Sequence, residues 1–206
     1  KTAEMCKLAE NSFRDLNIAF ANELSIICDV QGINIWELIQ LTNKHPRVNI
    51  LQPGVGVEGH CIAVDPWFII SQDIKNTKLI RSAREVNNYK TLWVIDKIKK
   101  AAANYFSKTG VKPKILLLGL SFKPDIDDLR ESKSLEIAET LLTQRYEVSA
   151  IEPNVKSHKY LSQFNLIEAI EQADIICILV KHSEFLQSEI KDKLIKFRAL
   201  DFCGAL

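Results

Sequence analysis

Two long stretches of this 206-residue chain carry apolar residues at helical spacing, and they constrain its fold more than any other feature. Apolar residues recur at threes and fours from Glu4 to about Val30, and again from about Leu79 to Phe106. The segment NIWELIQLTN predicts a shorter helix between them. The first half is therefore predicted to be nearly all helix, and two amphipathic helices of this length favour a homodimer.

The pattern changes near residues 107–113, where short continuous apolar runs begin to alternate with helical patterns. Such runs are typical of parallel strands joined by crossover helices. The predicted strands lie within residues 115–120, 146–153, 173–180 and 199–203. The sequence therefore predicts an α/β protein with an all-helical domain over residues 1–108 and a doubly wound, Rossmann-like parallel sheet over residues 109–206.

Charge and composition exclude several classes of function. Lys and Arg total 27 against 26 Asp and Glu, so the net charge of +1 predicts no general attraction to nucleic acid or to acidic lipids. No apolar run approaches the roughly 18 residues of a transmembrane helix. The five cysteines are odd in number and lack CxxC spacing, which favours a reducing cytoplasm over disulfides and predicts no metal site.

The two ends of the sequence also carry an expectation. The chain opens on Lys1 in the run-up to a helix, and it closes on ALDFCGAL, which reads as a strand followed at once by the chain end. We therefore expect these residues to be a piece of a longer polypeptide.

A glycine-rich loop, GVGVEG at residues 54–59, is followed closely by Cys61. The string fits GxGxxG, but no helix begins at its last glycine, so a loop whose backbone approaches a ligand is favoured over a dinucleotide fingerprint. Cys61 is either core filling or a reactive thiol. His60 is its neighbour in sequence, which makes a Cys-His hydrolase dyad a weak alternative. Asp65 is predicted to cap the short helix that Pro66 opens.

Two further polar groups are candidates for binding. Lys7, Asn11 and Arg14 form one stripe on the first helix, as a solvated face or as a functional one. The loop GLSFKPDIDDLRES follows the first predicted strand, at the edge of the sheet where ligands bind. There Lys123 and Arg130 could hold a phosphate or carboxylate, while Ser132 could cap the next helix.

Three strings together resemble the nucleotide-sugar dehydrogenase family: EMCKLAENSFRDLNIAFANEL, PGVGVEGHCIAVDPWF and GLSFKPDIDDLRES, in the family's order. The resemblance implies oxidation of the primary alcohol of a UDP-sugar to a carboxylate in two hydride transfers to NAD. It further implies a dimer formed through the first long helix. It also implies that the NAD-binding domain lies outside these residues.

The resemblance assigns roles residue by residue. Cys61 corresponds to the nucleophile that holds a thiohemiacetal and then a thioester. Lys7 and Asn11 correspond to the groups that stabilise the oxyanion, and Asp65 to the carboxylate that handles the attacking water. Further members of the implied site bind substrate (Arg47, Gly56, Gly59 and Lys123) or lie near the cofactor (Arg130).

Within the family, CIAVDPWF resembles the branch that acts on UDP-N-acetyl-D-mannosamine for bacterial surface polysaccharides. The UDP-glucose branch usually carries lysine where this chain has Val64. Glu58 stands where the family usually has glycine, which removes access to positive φ and adds a carboxylate near the thiol. UDP-glucose or UDP-N-acetylglucosamine as substrate, or a non-catalytic dimeric UDP-sugar-binding module, are the alternatives.

Overall fold

The computed structural model describes residues 1–59 and 61–206. The chain forms two compact units, Lys1–Thr91 and Leu92–Leu206. The division between Thr91 and Leu92 falls inside one continuous helix, which runs from Lys78 to Thr109. The domain boundary after residue 108 stays a prediction, since these units describe packing alone.

The first unit is helical, as the spacing of its apolar residues predicts. Its helices are α1 (Thr2–Gln31), α2 (Ile35–Thr42), α3 (Asp65–Gln72) and the first part of α4 (Lys78–Thr109). The side chain of Asn34 caps α2 by accepting hydrogen bonds from the amides of Trp36 and Glu37. Helix α1 packs against both α2 and α3.

The buried face of α1 is polar, which the apolar periodicity does not predict. It carries five buried polar residues beside small apolar ones: Asn11, Ser12, Asp15, Asn22 and Ser25. By contrast, Phe20 and Ile27 of the predicted apolar face are exposed. The helix therefore buries its polar side chains together with small apolar ones, while large apolar side chains such as Phe20 and Ile27 face outward.

The second unit is built on a parallel sheet of order β2-β1-β3-β4, which confirms the doubly wound prediction. The strands are β1 (Lys114–Leu118), β2 (Glu147–Ile151), β3 (Ile175–Ile178) and β4 (Leu200–Asp201). The helices between them are α5 (Lys133–Thr143), α6 (Leu166–Gln172) and α7 (Ser188–Lys196), with a 3-10 turn at Ser183–Leu186. Strand order reverses between β1 and β3, so the crevice where this architecture binds ligands is expected beyond their carboxyl ends.

A hydrophobic core covers one face of this sheet. Leu116 and Leu118 of β1 and Ile176 and Ile178 of β3 pack there with residues of α6, the 3-10 turn and α7. Their alternation follows the period of two of a strand. At the end of β1, Gly119 has φ of 92°, and a Cβ atom there would lie 2.4 Å from Cβ of Val180. Glycine is therefore required where the two strands approach at the crevice.

Candidate active site and nucleotide loop

The thiol loop, residues 53–65, is fastened to the helices around it through its backbone. The amide of Gly54 donates to Oδ1 of Asn22 on α1 at 2.9 Å, and Oγ1 of Thr91 on α4 donates to the carbonyl of Val55 at 2.9 Å. Val55 is buried. Gly56 has φ of 150° and Gly59 has φ of 90°, conformations that glycine adopts without strain. The loop is therefore anchored where it begins.

A buried polar network supports this anchor from behind. Asn22 donates to Asn87 at 2.9 Å, and Asn87 donates to Oδ1 of Asp15 at 2.8 Å. Arg84 also donates to Oδ1 of Asp15, at 2.6 Å. Burial raises the pKa of the Asp15 carboxyl, although the charge of Arg84 and its hydrogen bond oppose that rise. Polar residues at helical spacing in α1 and α4 were the sequence signal for this network, and sequence reasoning missed it.

Asn11 and Asp65, both predicted site residues, are in contact. Nδ2 of Asn11 donates to Oδ2 of Asp65 at 2.5 Å, which joins α1 to the start of α3. The carbonyl of Cys61 accepts the amides of Val64 and Asp65, at 3.1 and 2.8 Å. Cys61 itself is exposed. The turn therefore places an accessible thiol one turn before a carboxylate that an amide side chain orients.

The predicted capping role of Asp65 was wrong. Helix α3 begins at Asp65, its N-cap is Val64, and no side chain caps it. The carboxylate points instead to Asn11. The sequence could not separate the two uses, because an aspartate before Pro66 fits both the cap position and the first helical position.

Lys7 lies one turn before Asn11 on the same face of α1. Its ammonium is exposed and 3.8 Å from a carboxylate oxygen of Glu10. Among residues 1–59 and 61–206, no hydrogen bond or ion pair joins Lys7 to Cys61. The role implied for Lys7 therefore stays a prediction.

Arg47 is exposed in the turn after α2, where its amide donates to Nδ1 of His45 at 3.3 Å. In the described part of the chain, no hydrogen bond or ion pair joins its guanidinium to Cys61. Glu58 is half-buried and is not among the residues with positive φ, so the strain expected from replacing glycine there is absent. His60, the partner in the alternative Cys-His dyad, lies outside the described residues.

The β1 loop, residues 119–132, carries the other two predicted basic residues. Lys123 is exposed, and its carbonyl accepts the hydroxyl of Ser121 at 2.9 Å. Arg130 is engaged by its neighbour, since Nε and Nη2 donate to Asp128 at 2.9 and 2.6 Å. Ser132 caps α5 by accepting the Leu135 amide at 3.1 Å, which confirms that prediction. The binding roles of Lys123 and Arg130 stay predictions.

A buried group at the crevice was missed altogether. His182, which follows β3, is fully buried, and its Nε2 lies 3.1 Å from Oε2 of Glu152, which follows β2. The same carboxylate oxygen accepts the amides of Leu120 and Ser121, at 2.7 and 2.9 Å. Burial alone would raise the pKa of Glu152, but hydrogen bonds from His182 and from these amides outweigh it and lower the pKa below its ordinary value.

This group is not a Ser-His-Glu nucleophile. Oγ of Ser121 and Oε2 of Glu152 both approach Nε2 of His182, at 3.2 and 3.1 Å, whereas a triad needs them on opposite ring nitrogens. The Ser121 hydroxyl is also fully buried and donates to the Lys123 carbonyl. The arrangement holds backbone in place and exposes no reactive oxygen. A lone buried histidine carries no sequence signal until the strand ends are brought together.

Within residues 1–59 and 61–206, neither glycine-containing loop has the strand-to-helix turn that binds the pyrophosphate of NAD. In residues 54–59 the glycine string leads into turns and not into a helix, and the β1 loop has a single glycine at its start. No group of three or more metal-binding side chains occurs in the part of the chain that the structure describes. Nor is any helix in that part long and apolar enough to cross a membrane.

Comparison with protein families assigns both halves of the sequence. The UDP-glucose/GDP-mannose dehydrogenase family, central domain, matches residues 1–89, and the UDP binding domain of the same family matches residues 116–205. The two matches follow each other in one chain. This chain belongs to the UDP-glucose/GDP-mannose dehydrogenase family. The recognised strings and the Rossmann-like sheet are thus confirmed as family features.

The relatives of this chain carry different sugars in their names. UDP-N-acetyl-D-mannosamine dehydrogenase of Escherichia coli K12 is 56% identical over 195 residues, which cover 90% of this chain and 46% of that protein. NDP-N-acetyl-D-galactosaminuronic acid dehydrogenase of Ralstonia nicotianae is 52% identical over 190 residues, 90% of this chain and 44% of that protein. This chain therefore spans about half the length of the curated relatives it matches.

A solved structure supports the same family. The UDP-N-acetyl-mannosamine dehydrogenase Cap5O of Staphylococcus aureus aligns with a TM-score of 0.78 and 45% identity. The alignment covers 90% of this chain and 43% of that one. The helical unit and the parallel sheet therefore have the fold of the corresponding parts of that protein.

Proposed function

We propose that this chain supplies the thiol-bearing and nucleotide-binding parts of an NAD-dependent dehydrogenase that oxidises UDP-N-acetyl-D-mannosamine to its uronate. The observation that carries the proposal is the Asn11–Asp65 hydrogen bond next to the exposed Cys61 thiol. NAD, bound by a part of the protein outside these residues, supplies the acceptor for both hydrides. The relatives of Escherichia coli and Staphylococcus aureus named above support this sugar. We assign the product to the synthesis of bacterial surface polysaccharides.

In the proposed reaction, the Cys61 thiolate attacks the aldehyde carbon that the first oxidation leaves, and the new C–S bond gives a thiohemiacetal. Loss of a second hydride converts it to a thioester. Water then attacks the thioester carbon, the C–S bond breaks, and the sulfur leaves as the thiolate that began the cycle. Asp65 accepts the proton of the attacking water, with its orientation held by Asn11 at 2.5 Å.

Charge stabilisation and substrate binding complete the proposal. Lys7 and Asn11 share a helix face, so an ammonium and an amide donor can meet the oxyanion of each tetrahedral intermediate. Substrate contacts are assigned to Arg47, to Lys123 and to the backbone at Gly56 and Gly59. Arg130 is assigned to the cofactor side, where an anionic group would replace its contact with Asp128.

The proposed homodimer rests on a stripe along α1. Phe13, Phe20 and Ile27 are seven residues apart and 70%, 52% and 46% exposed. At 100° per residue they share one face, opposite buried Asp15 and Asn22. Apolar side chains at heptad spacing are typical of helices that pair.

Replacing Phe20 by Glu is expected to weaken the dimer about a hundredfold, because an unpaired carboxylate in an apolar interface costs several kcal/mol. Sedimentation velocity over a dilution series of the full-length protein measures the dissociation constant. Asn104→Glu adds the same charge at an exposed position of α4 and is the matched control. Equal sedimentation of Phe20→Glu and the control would contradict the dimer.

We further place the protein in the reducing cytoplasm. The support is chemical: all five cysteines are free, including the exposed Cys6 and Cys61. A nucleophilic thiol needs a reducing compartment to stay available.

The second candidate is a non-catalytic module that binds a UDP-sugar. Glu58 favours it, because the half-buried residue puts a carboxylate into the thiol loop, where it would oppose both a thiolate and a diphosphate. Restoring glycine at position 58 separates the candidates, since an inactive protein that gains turnover would have lost activity through Glu58.

Formation of NADH by the full-length protein tests the proposal. With UDP-N-acetyl-D-mannosamine and NAD, we expect two NADH per sugar, and we expect Cys61→Ser to lose turnover. Cys6→Ser removes the other exposed thiol and should retain it. Turnover on UDP-glucose or UDP-N-acetylglucosamine alone would keep the chemistry and change the sugar. No turnover on any of the three would favour the binding module.

A further inference from the structure

The first part of the β1 loop is held from two other strand ends. Oε2 of Glu152 accepts the amides of Leu120 and Ser121, and Nδ1 of His182 accepts the amide of Asp125 at 3.0 Å. Lys123 stands between these attachment points, and its own carbonyl accepts the Ser121 hydroxyl. The backbone on both sides of Lys123 is therefore fixed by buried side chains.

The hydrogen bonds fix the tautomer of His182. Because the Asp125 amide donates to Nδ1, that nitrogen carries no proton, and the proton lies on Nε2 and faces Glu152 at 3.1 Å. The side-chain Nδ2 of Asn154 lies 3.3 Å from Nδ1 of His182 and faces the same lone pair. Phe185 packs edge-on against the imidazole, with ring centroids 5.4 Å apart. His182 is thus held in one orientation as an acceptor toward the loop and a donor toward Glu152.

Asp125 is the residue on which this acceptor acts, and its backbone is strained. Its φ of 62° lies in the left-handed region. Its carboxylate accepts both the amide and the hydroxyl of Ser183, at 2.9 and 3.0 Å. Residues in such conformations persist where their surroundings hold them, and they cluster at ligand sites. Here His182 and Ser183 hold both the amide and the side chain of Asp125.

We propose that His182 is a positioning residue for the sugar nucleotide: it sets the loop conformation that presents Lys123 to the ligand. The proposal rests on the proposed function for the role of Lys123. His182 is 0% exposed, so it acts only through the loop. Its position at the end of β3, beside the end of β1, is the point where strand order reverses and ligands bind in this architecture.

Two conservative substitutions separate the donor from the acceptor. His182→Asn places an amide oxygen near the position of Nδ1 and keeps an acceptor for Asp125, but it loses the donor to Glu152. His182→Gln places an amide nitrogen near the position of Nε2 and keeps that donor, but it loses the acceptor. In NMR amide exchange, the Gln variant should expose the Asp125 amide, and the Asn variant should expose those of Leu120 and Ser121.

Ligand binding gives the functional readout. Both variants should weaken UDP binding, measured by calorimetry on the full-length protein, by about tenfold, the equivalent of one lost hydrogen bond. KM for the UDP-sugar should rise by the same factor with kcat unchanged. Tyr105→Phe is the control, because it removes a 2.6 Å hydrogen bond to Asp174, just before β3, at the amino end of the strands.

If both His182 variants lose thermal stability as Tyr105→Phe does, yet keep wild-type UDP affinity and KM, His182 is structural and the proposal is overturned. Failure of the wild type to bind UDP overturns it as well. Neither calorimetry nor amide exchange needs turnover. A wild type that binds UDP without forming NADH would therefore contradict the proposed function, while His182 would still be decided by the UDP affinities.

Discussion

The thiol loop and the β1 loop are both held by buried polar side chains, but by different kinds of group. Neutral donors and acceptors hold the thiol loop, with Asn22 and Thr91 at the contact and the Asp15–Arg84 ion pair behind them. At the β1 loop the contact is a charge, because Glu152 accepts two loop amides directly. Charge-assisted hydrogen bonds are roughly twice as strong as neutral ones. The stability of the hydrogen bonds that hold the two loops should therefore depend differently on pH and on the substitution of one side chain.

The largest effect is expected where the ion pair is broken. Arg84→Ala leaves Asp15 buried without its cation, so the free energy of unfolding should fall by about 3–5 kcal/mol. Urea unfolding followed by circular dichroism measures it. Arg81→Ala, on the same helix, removes a hydrogen bond of an exposed guanidinium to the Ile74 carbonyl, at 2.7 Å. That control should lower the free energy of unfolding by at most about 1 kcal/mol. Equal losses in the two variants would show that the Asp15–Arg84 ion pair does not support the thiol loop.

The next effect tests the charge at the β1 loop. Glu152→Gln turns charge-assisted hydrogen bonds into neutral ones and should cost about 1.5–3 kcal/mol at neutral pH. The pKa of Glu152 is lowered in the folded state, so the stability it contributes is present above its ordinary pKa and is lost as pH falls through the lowered one. Urea unfolding from neutral to acidic pH should show this loss in the wild type but not in the variant.

Asp15→Asn is the contrast for that experiment, because the shift has the opposite sign. The pKa of Asp15 is raised in the folded state, mainly by burial. Its effect on stability therefore becomes unfavourable as pH rises from the ordinary value through the raised one. Parallel pH profiles for the two variants would show that the carboxylates behind the two loops respond to pH alike, and would contradict the difference in charge between the two supports.

The smallest effect belongs to a single neutral contact. Thr91→Val keeps the shape of the side chain and removes the hydrogen bond to the Val55 carbonyl, at an expected cost of about 1 kcal/mol. Thermal unfolding measures it. Thr140→Val removes a 2.8 Å hydroxyl bond to its own helix at an exposed position and should change stability much less. If the two variants unfold at the same temperature, Thr91 does not contribute to anchoring the thiol loop.

The helices, the parallel sheet and the family could be predicted from the sequence, because residue periodicity and short local motifs encode them. Asn11 and Asp65 were found through the resemblance, and the structure brings them into contact. His182 and Glu152 were not found, since residues so far apart in sequence meet only when strand ends converge. The polar face of α1 was missed for a related reason: its partners lie on α4, and an apolar pattern hides a second, buried polar one.

The close approach of Gly119 and Val180 has a consequence for mutational tolerance. A methyl group at position 119 would collide with the Val180 side chain, whereas β1 loop residues such as Lys123 are open to solvent. Substitutions at an exposed β1 loop side chain such as Lys123 meet no such collision, whereas a Cβ atom at position 119 does. Gly119→Ala is tolerated only if residue 180 shifts and the backbone accepts φ of 92°, so substitutions at positions 119 and 180 are expected to be non-additive in their effects on stability.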